Sequence, residues 1–129
     1  MSLIDVNPGD AKELEAVPAG EYELSVTSAE VVPLKNDPDK EQIALSFKIE
    51  GEPTAKSLRD WIGIPHSSDD EATKNRKLLK LKAFCESADY DYADGIDTDL
   101  LPGMVVKAML TVQNDETYGD QNRVTRYVS

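Results

Sequence analysis

The residues whose types and spacing most directly suggest chemistry are Lys48, Arg59 and Trp61. The segments that hold them, "IALSFKIEGE" (43–52) and "KSLRDWIGI" (56–64), alternate apolar and polar residues as half-buried strands do. In adjacent strands this alternation places all three side chains on one outer face. An indole stacks on nucleobases, and neighbouring cations meet phosphates. The pattern therefore indicates a surface for single-stranded nucleic acid, with a tryptophan at the edge of the core as the ordinary alternative.

The stretch "NDETYGDQNRVTRY" (114–127) carries a similar mixture of aromatic and basic side chains around a turn at Gly119. Three acids in it, Asp115, Glu116 and Asp120, would repel phosphate if they faced the same way. The stretch is therefore either a ligand-binding hairpin or an exposed tip kept polar by its acids. The candidate nucleic-acid-binding residues that it adds are Tyr118, Arg123, Arg126 and Tyr127.

Motifs of known catalytic chemistry are missing from the sequence. It has no GxxxxGK[ST] phosphate loop, no GxSxG elbow and no HExxH pair. The single histidine, His66, and the single cysteine, Cys85, fall on different kinds of element, so no zinc cluster is expected. We therefore expect a protein that is not an enzyme and that uses no metal or other cofactor.

An acidic run, "DYDYADG" (89–95), superficially resembles the start of a calcium-binding EF-hand loop. Ala93 stands at the third ligand position, Gly95 comes one residue late, and no glutamate closes the loop. The run instead predicts a solvated loop, in which Gly95 allows a positive φ.

The net charge of −11 argues at first against nucleic acid, because Lys and Arg supply most of the affinity for a phosphate backbone. The charge is unevenly distributed, however. Residues 1–30 hold seven acids and one base, residues 86–99 hold six acids and no base, and the rest holds twelve acids and thirteen bases. Two acidic segments lying away from a binding groove would steer DNA into it and oppose nonspecific adhesion.

Length and composition predict a polar N-terminal arm (1–16) followed by one domain (17–129). A chain of 129 residues, 40% of them hydrophobic, is long and apolar enough for a single core. The sequence has neither a secretory signal nor an apolar run of about eighteen residues. We expect a soluble protein of the cytoplasm, with no membrane partner.

The hydrophobic patterns predict the order strand, strand, strand, helix, strand, strand. Beyond the two segments above, strands are expected within residues 17–32, 104–113 and 122–128. The alternation that points Trp61 outward points Asp60 toward the core. Either a bulge interrupts the third strand or its register differs by one residue.

One amphipathic helix is expected over residues 69–88. Ser68 and Glu71 have the spacing of a capping box at its start. Basic residues crowd its middle and form either a solvated face or a phosphate-facing patch. The apolar stripe expected to face the core comprises Leu78, Leu81, Cys85 and Ala88, widened by Leu79 and Phe84. The basic residues are Lys74, Arg76, Lys77, Lys80 and Lys82.

Five short strands with a helix between the third and fourth are typical of the OB fold, a small, partly open Greek-key barrel. Its usual ligand surface is the face of strands two and three, with the loops that join strands one and two and strands four and five. The fold class is therefore expected to be mainly β, an OB-like barrel, and the loop within residues 114–121 would flank its groove.

Short motifs accompany these elements along residues 17–128. They are Pro18-x-Gly20-x-Tyr22, "IALSFKIEGE", a helix with Leu78 and Leu81, Leu101-x-Gly103, and Gly119-x-x-Asn122-x-Val124. In combination they resemble a family of small bacteriophage and prophage proteins that are encoded near replication and recombination genes. That family is regarded as single-stranded-DNA-binding proteins of OB type. The chain departs from many phage single-strand binders in ending "NRVTRYVS", without an acidic tail.

The resemblance implies a sequence-tolerant single-stranded-DNA-binding protein acting in phage replication or recombination, with phage or host replication proteins as further partners and the host cytoplasm as its location. The net charge keeps a second hypothesis open. An acidic protein-binding module, either a virion or assembly component or a DNA mimic, would also fit a chain without a continuous basic stripe. Exposed strand edges leave room for a homodimer on either hypothesis.

Overall fold

The computed structural model describes residues 3–129. Its elements follow the expected order of three strands, a helix and two strands. The bounds are β1 Gly20–Pro33, β2 Glu41–Ile49, β3 Leu58–Gly63, α1 Glu71–Ser87, β4 Val105–Asp115 and β5 Gly119–Val128.

The five strands form one antiparallel sheet in the order β3-β2-β1-β4-β5. Strands β3 and β5 are its two edges, and no backbone ladder joins them within residues 3–129. The mainly β prediction is therefore confirmed at the level of one open sheet with one helix. Its core contains the inward side chains of the strands, such as Leu45 and Phe47 of β2 and Val106 of β4, together with α1.

Strand β1 is long enough to pair on both sides. Residues 20–25 pair with β4, and residues 24–33 pair with β2, with one register shift between Val26 and Ser28. A bulge of this kind increases the local twist and bends the strand, which helps β1 to pair with β4 at one end and with β2 at the other. Leu24 and Val26, which alternate with polar residues along β1, are buried.

The position of Asp60 is settled by a continuous β2–β3 ladder. Leu45 lies opposite Asp60 and Ala44 opposite Trp61, without a bulge. Asp60 therefore points toward the core while Trp61 points outward. The sequence rule for alternation is confirmed, and the alternatives of a bulge or a shifted register are wrong.

The helix begins later than predicted. Asp70 is the N-cap and accepts a hydrogen bond from the backbone N of Thr73 at 2.7 Å, so the predicted capping role of Ser68 is wrong. The buried helix residues are Leu81, Phe84 and Cys85. Leu78 and Leu79, which were expected on the buried stripe, are exposed.

Asp69 is instead buried as the centre of an ion-pair cluster. Its Oδ2 lies 2.7 Å from Lys77 Nζ and accepts from the backbone N of His66 at 3.0 Å, and its Oδ1 lies 3.0 Å from Lys40 Nζ. These contacts join α1 to Lys40, which precedes β2, and to His66, in the connection that follows β3. The hydrogen bond from Lys77, followed by that from His66, holds the pKa of Asp69 well below its ordinary value.

The N-terminal segment is attached to the sheet at two places. Glu15 pairs in parallel with Ala55, and Val17 exchanges hydrogen bonds with the side chain of Asn122, both at 2.9 Å. Within the arm, Asn7 caps a single 3-10 turn, Pro8–Asp10, and residues 11–15 form no helix. Within residues 3–129, no helix combines the length and the apolarity that a membrane crossing requires.

Candidate nucleic-acid interface

An open groove of about 500 Å³ separates β3 from the hairpin formed by β4 and β5. The groove lies between the two sheet edges that have no backbone ladder joining them. Its residues come from two short stretches, Ser57, Leu58, Arg59 and Trp61 on one side, and Asp115, Tyr118, Gln121, Asn122 and Arg123 on the other. Four of the seven residues predicted to bind nucleic acid therefore line one groove, namely Arg59, Trp61, Tyr118 and Arg123.

On the β3 side, Trp61 keeps 39% of its surface exposed although its neighbour Ile62 is fully buried. The helix supports it from behind, because Lys80 Nζ donates to the Trp61 carbonyl at 2.9 Å and to Asp60 Oδ1 at 3.1 Å. Arg59 is exposed two residues earlier on the same face. An indole on a backbone held in this way is a suitable stacking surface, because little conformational freedom remains to be lost on binding.

On the hairpin side, Tyr118 is 72% exposed and precedes Gly119, whose φ of 73° makes the turn. A non-glycine residue rarely adopts that backbone conformation, so the glycine sets the path of the tip. Lys56 attaches the tip to the β2–β3 connection, since its Nζ donates to the carbonyls of Tyr118 and Asp120, both at 3.0 Å. The hairpin is thereby held at the mouth of the groove.

Two of the three acids in the hairpin contact the turn itself. Asp115 Oδ1 accepts from the backbone N of Thr117 at 2.7 Å and of Tyr118 at 2.9 Å. The bond from Tyr118, then the bond from Thr117, and finally the charge of Arg123 lower the pKa of Asp115. Asp120 Oδ1 accepts from Asn114 Nδ2 at 2.9 Å. Their carboxylates therefore stabilise the hairpin. The lowered pKa keeps Asp115 ionised, so its negative charge remains in the groove, near Arg123.

A bulge in β5 brings its two arginines to the same face. Arg126 lies opposite Met109 and Val124 opposite Leu110, so Thr125 is the extra residue in the ladder. Without it, side chains three positions apart would point to opposite faces of the sheet. Arg123 and Arg126 are both exposed. Arg126 continues the outer face beyond the groove and is not part of the groove lining.

Lys48 is exposed on the outer face of β2, opposite Ser25 of β1. Arg59 lies opposite Ser46, so Lys48 is its diagonal neighbour across the strand pair. Lys48 therefore flanks the groove at the end nearest the β2–β3 connection.

Tyr127 is not brought to this surface. It is only 7% exposed and packs against Phe84, at 5.2 Å between ring centroids, and against Phe47, at 6.3 Å. Its hydroxyl donates to Asp60 Oδ2 at 2.6 Å. Burial, and then the charge of Asp60, raises the pKa of the Tyr127 phenol. A buried tyrosine with a satisfied hydroxyl stabilises the core and offers no face to a ligand.

The cations of the helix and those of the groove have different surroundings. Lys77 and Lys80 form ion pairs that hold α1 to the rest of the fold. In the part of the chain that the structure describes, no ion pair within 4.0 Å engages Arg59 or Arg123. The arginines of the groove therefore keep their charge available for an anionic ligand.

Lys56, which holds the hairpin tip beside the groove, and Gln121, which lines it, are two residues that the sequence did not indicate. Lys56 acts across 62 residues of chain, and no local pattern reports such a contact. Gln121 Nε2 donates to the Tyr118 carbonyl at 3.1 Å. Among residues 3–129, no group of three ligating side chains is placed to hold a metal ion.

The sequence matches no model of a known protein family, and no curated protein is significantly similar to it.

Proposed function

We propose that the protein binds single-stranded DNA in the groove between β3 and the β4–β5 hairpin, without base specificity and without catalysis. One observation carries the proposal. The groove places two accessible aromatic rings, Trp61 and Tyr118, beside Arg59 and Arg123, two arginines that form no ion pair within 4.0 Å in the described part of the chain. Aromatic rings for bases and cations for the backbone are the two components that single-strand binding requires.

Binding without base specificity is expected because the amide side chains in the groove already form hydrogen bonds within the protein. The Asn122 amide accepts from Val17 N and donates to the carbonyls of Val17 and Thr111, so it is fully engaged. Gln121 donates to the hairpin backbone. Reading of base edges needs hydrogen-bonding groups free to face the base. Stacking on Trp61 and Tyr118 accepts any base, since every base has a π-face.

We propose that the sheet is an OB-like barrel that is open between its two edge strands. In the order β3-β2-β1-β4-β5, the barrel would close where β3 meets β5. The contact between Tyr127 and Asp60 joins those two strands through side chains, and Lys56 joins their flanking segments. The groove then lies at the opening between the edges and combines the outer face of β3 with the β4–β5 loop, which are two parts of the usual OB ligand surface.

The net charge of −11 is compatible with this proposal because of where the acids lie. Asp115 lines the groove, but none of the six acids in residues 86–99 does. Glu86 lies at the end of α1 and the other five follow the helix, so they would repel DNA from that side and favour approach at the arginines. The resemblance extends the proposal to a role in phage DNA replication or recombination.

Titration of an oligo-dT strand, followed by Trp61 fluorescence at two salt concentrations, tests the proposal. Trp61 is the only tryptophan, so quenching reports on the groove itself. We expect quenching that weakens as salt rises, because bound phosphates displace counterions. The double variant Arg59→Ala, Arg123→Ala should reduce the slope of log K against log salt by about 0.7 per lost phosphate contact.

A matched control removes two helix cations, Lys74→Ala and Arg76→Ala, which changes the net charge equally. The control should bind like the parent protein. Equal losses in both double variants would attribute binding to overall charge and would contradict the assigned groove. No quenching at low salt would refute DNA binding and favour the acidic protein-binding module.

A further inference from the structure

A second groove, of about 460 Å³, lies between α1, the loop that follows it and the far ends of β1 and β2. It shares no residue with the arginine-lined groove. Its walls are mainly apolar, and the residues that matter for the argument are Val31, Ile64, Leu78, Lys82, Tyr92 and Ile96.

Several of these apolar side chains face solvent. Leu78 is 52% exposed, and Val31 and Tyr92 are exposed as well. Leu78 belongs to the helix stripe that the sequence predicted to be covered. A contiguous apolar surface on a small domain usually marks a contact with another molecule.

The chain also carries an apolar segment without a partner. Leu3 is 95% exposed, and Ile4 and Val6 are also mostly exposed. The three lie within four consecutive residues, far from the first attachment of the arm at Glu15. Burial of three such side chains would contribute substantially to an association.

Charge supports pairing of these two features. Among the residues that the structure describes, Lys82 is the only charged one that lines the apolar groove, and its carboxylate partner, Glu86, is 4.0 Å away. Residues 3–6 carry one charge, the carboxylate of Asp5, between Ile4 and Val6. The single negative charge of the segment, on Asp5, is therefore complementary to the single positive charge of the groove, on Lys82.

The attachment of the arm favours a groove on another molecule. Glu15 is bonded to Thr54 and Lys56, at the end of β3 opposite to Ile64 in the groove. Strand β3 covers only Leu58–Gly63 of the path from Lys56 to Ile64. In one copy the arm does not occupy its own groove, because Leu3 is 95% exposed and none of residues 3–6 lines it. The apolar side chains of the arm are therefore accessible to a groove on another molecule.

We propose that residues 3–6 of one copy of this protein bind in the apolar groove of a second copy, with Asp5 facing Lys82. The exchange can be reciprocal, which gives two identical contacts in a symmetric dimer. The contact uses neither edge of the sheet, and it leaves the arginine-lined groove of each copy open.

Sedimentation equilibrium of the full chain, from micromolar to millimolar concentrations, tests the proposal. We expect a monomer–dimer equilibrium. The triple variant Leu3→Ser, Ile4→Ser, Val6→Ser should raise the dissociation constant by about tenfold or more. The control variants Leu14→Ser and Leu100→Ser remove exposed leucines outside the contact and should dimerise normally. A chain that stays monomeric throughout, or equal effects of triple variant and controls, would overturn the proposal.

Complementation identifies the pairing. Leu78→Glu puts an acid in the groove, where it opposes Asp5, and circular dichroism verifies that the exposed substitution leaves the fold intact. Alone, the Leu78→Glu protein and the triple arm variant should each be monomeric. Mixed, they should form a one-to-one heterodimer, since one supplies an intact arm and the other an intact groove. Failure of the mixture to associate would refute the exchange. The NMR signals of Tyr92 and Ile96 can also be compared between the monomeric parent protein and the triple arm variant. A difference would show that the arm binds in the groove of its own chain, and this would also refute the exchange.

Discussion

The hydroxyl of Tyr127 lies 2.6 Å from Asp60 Oδ2, and this hydrogen bond joins the two edge strands of the sheet. Lys80 of α1 lies 3.1 Å from the other oxygen of the same carboxylate. A single inward-pointing acid therefore connects β3, β5 and the helix. The open groove lies between the same two edge segments and includes Arg59 and Trp61 on either side of Asp60 in the sequence.

Tyr127→Phe should lower the free energy of unfolding by about 1–3 kcal/mol, because it leaves a largely buried carboxylate oxygen without its donor. Urea denaturation measures the loss. Tyr118→Phe serves as the control and should leave stability unchanged, since the Tyr118 side chain is exposed and its hydroxyl forms no hydrogen bond within residues 3–129. DNA affinity should be unaffected by Tyr127→Phe. A reduced affinity at unchanged stability would show that the Tyr127 hydroxyl contacts the ligand.

Asp69→Asn should destabilise the protein most clearly at neutral pH. The folded pKa of Asp69 lies below its ordinary value of 3.8, so its stabilising contribution is complete above that value and is lost as the pH falls toward the folded pKa. The denaturation midpoints of parent and variant should therefore differ at neutral pH. The difference should shrink as the pH is lowered below 3.8. Asp94→Asn, at an exposed loop position, should follow the parent curve. A constant difference at all pH values would contradict the assignment.

Asn122→Leu keeps the approximate size of the side chain but removes three hydrogen bonds. The main-chain N and carbonyl of Val17 would lose their partners, and each unpaired buried group costs about 1–3 kcal/mol. Thermal and urea unfolding should both show the loss, while the exposed helix change Asn75→Leu should not. Equal stability of the two variants would indicate that water replaces the Asn122 amide.

Trp61→Ala should weaken oligo-dT binding by about 1–3 kcal/mol, the usual contribution of one stacked base. Fluorescence anisotropy of a labelled oligonucleotide measures this, because the variant has lost its intrinsic reporter. Trp61→Phe should retain part of the affinity, since a smaller ring still stacks. If Trp61→Ala bound as tightly as the parent, the groove would not be the site of stacking.

Lys56→Met should weaken DNA binding through the position of the hairpin. Loss of the donor to the Tyr118 and Asp120 carbonyls frees the tip, and hydrogen exchange of residues 116–120 should accelerate. Lys56→Arg keeps a charged donor and should restore much of the affinity. Lys12→Met matches the lost charge at an exposed position outside the groove. A loss of affinity in Lys12→Met equal to that in Lys56→Met would attribute the effect to charge alone.

Strand alternation was the most informative signal in the sequence. It predicted the inward direction of Leu45 and Phe47 and the outward direction of Trp61, and it predicted an inward Asp60 that had no explanation in the sequence. The explanation is two distant partners, Tyr127 and Lys80, which are 67 and 20 residues away. Local patterns predict direction, but they do not predict which groups meet there.

Errors arose where local rules competed. Ser68, Asp69 and Asp70 all have side chains that can cap a helix N-terminus. Asp70 is the N-cap, because the carboxylate of Asp69 is bound to two lysines. Leu78 fitted the helix period, yet the sheet beneath α1 covers only the face of Leu81, Phe84 and Cys85. The composition that suggested a ligand role for Tyr127 is the same whether its ring is exposed or buried.

By itself, then, the sequence determined the number and order of the strands, the single helix and the outer face that carries Arg59 and Trp61, because period and propensity are local properties of a chain. Tertiary structure alone decided that the 114–121 hairpin is held beside that face, that Arg123 and Arg126 point the same way, and that Tyr127 lies in the core. Each of these depends on long-range contacts or on a single bulge. Such features arise from the packing of distant segments, which no short stretch of sequence records.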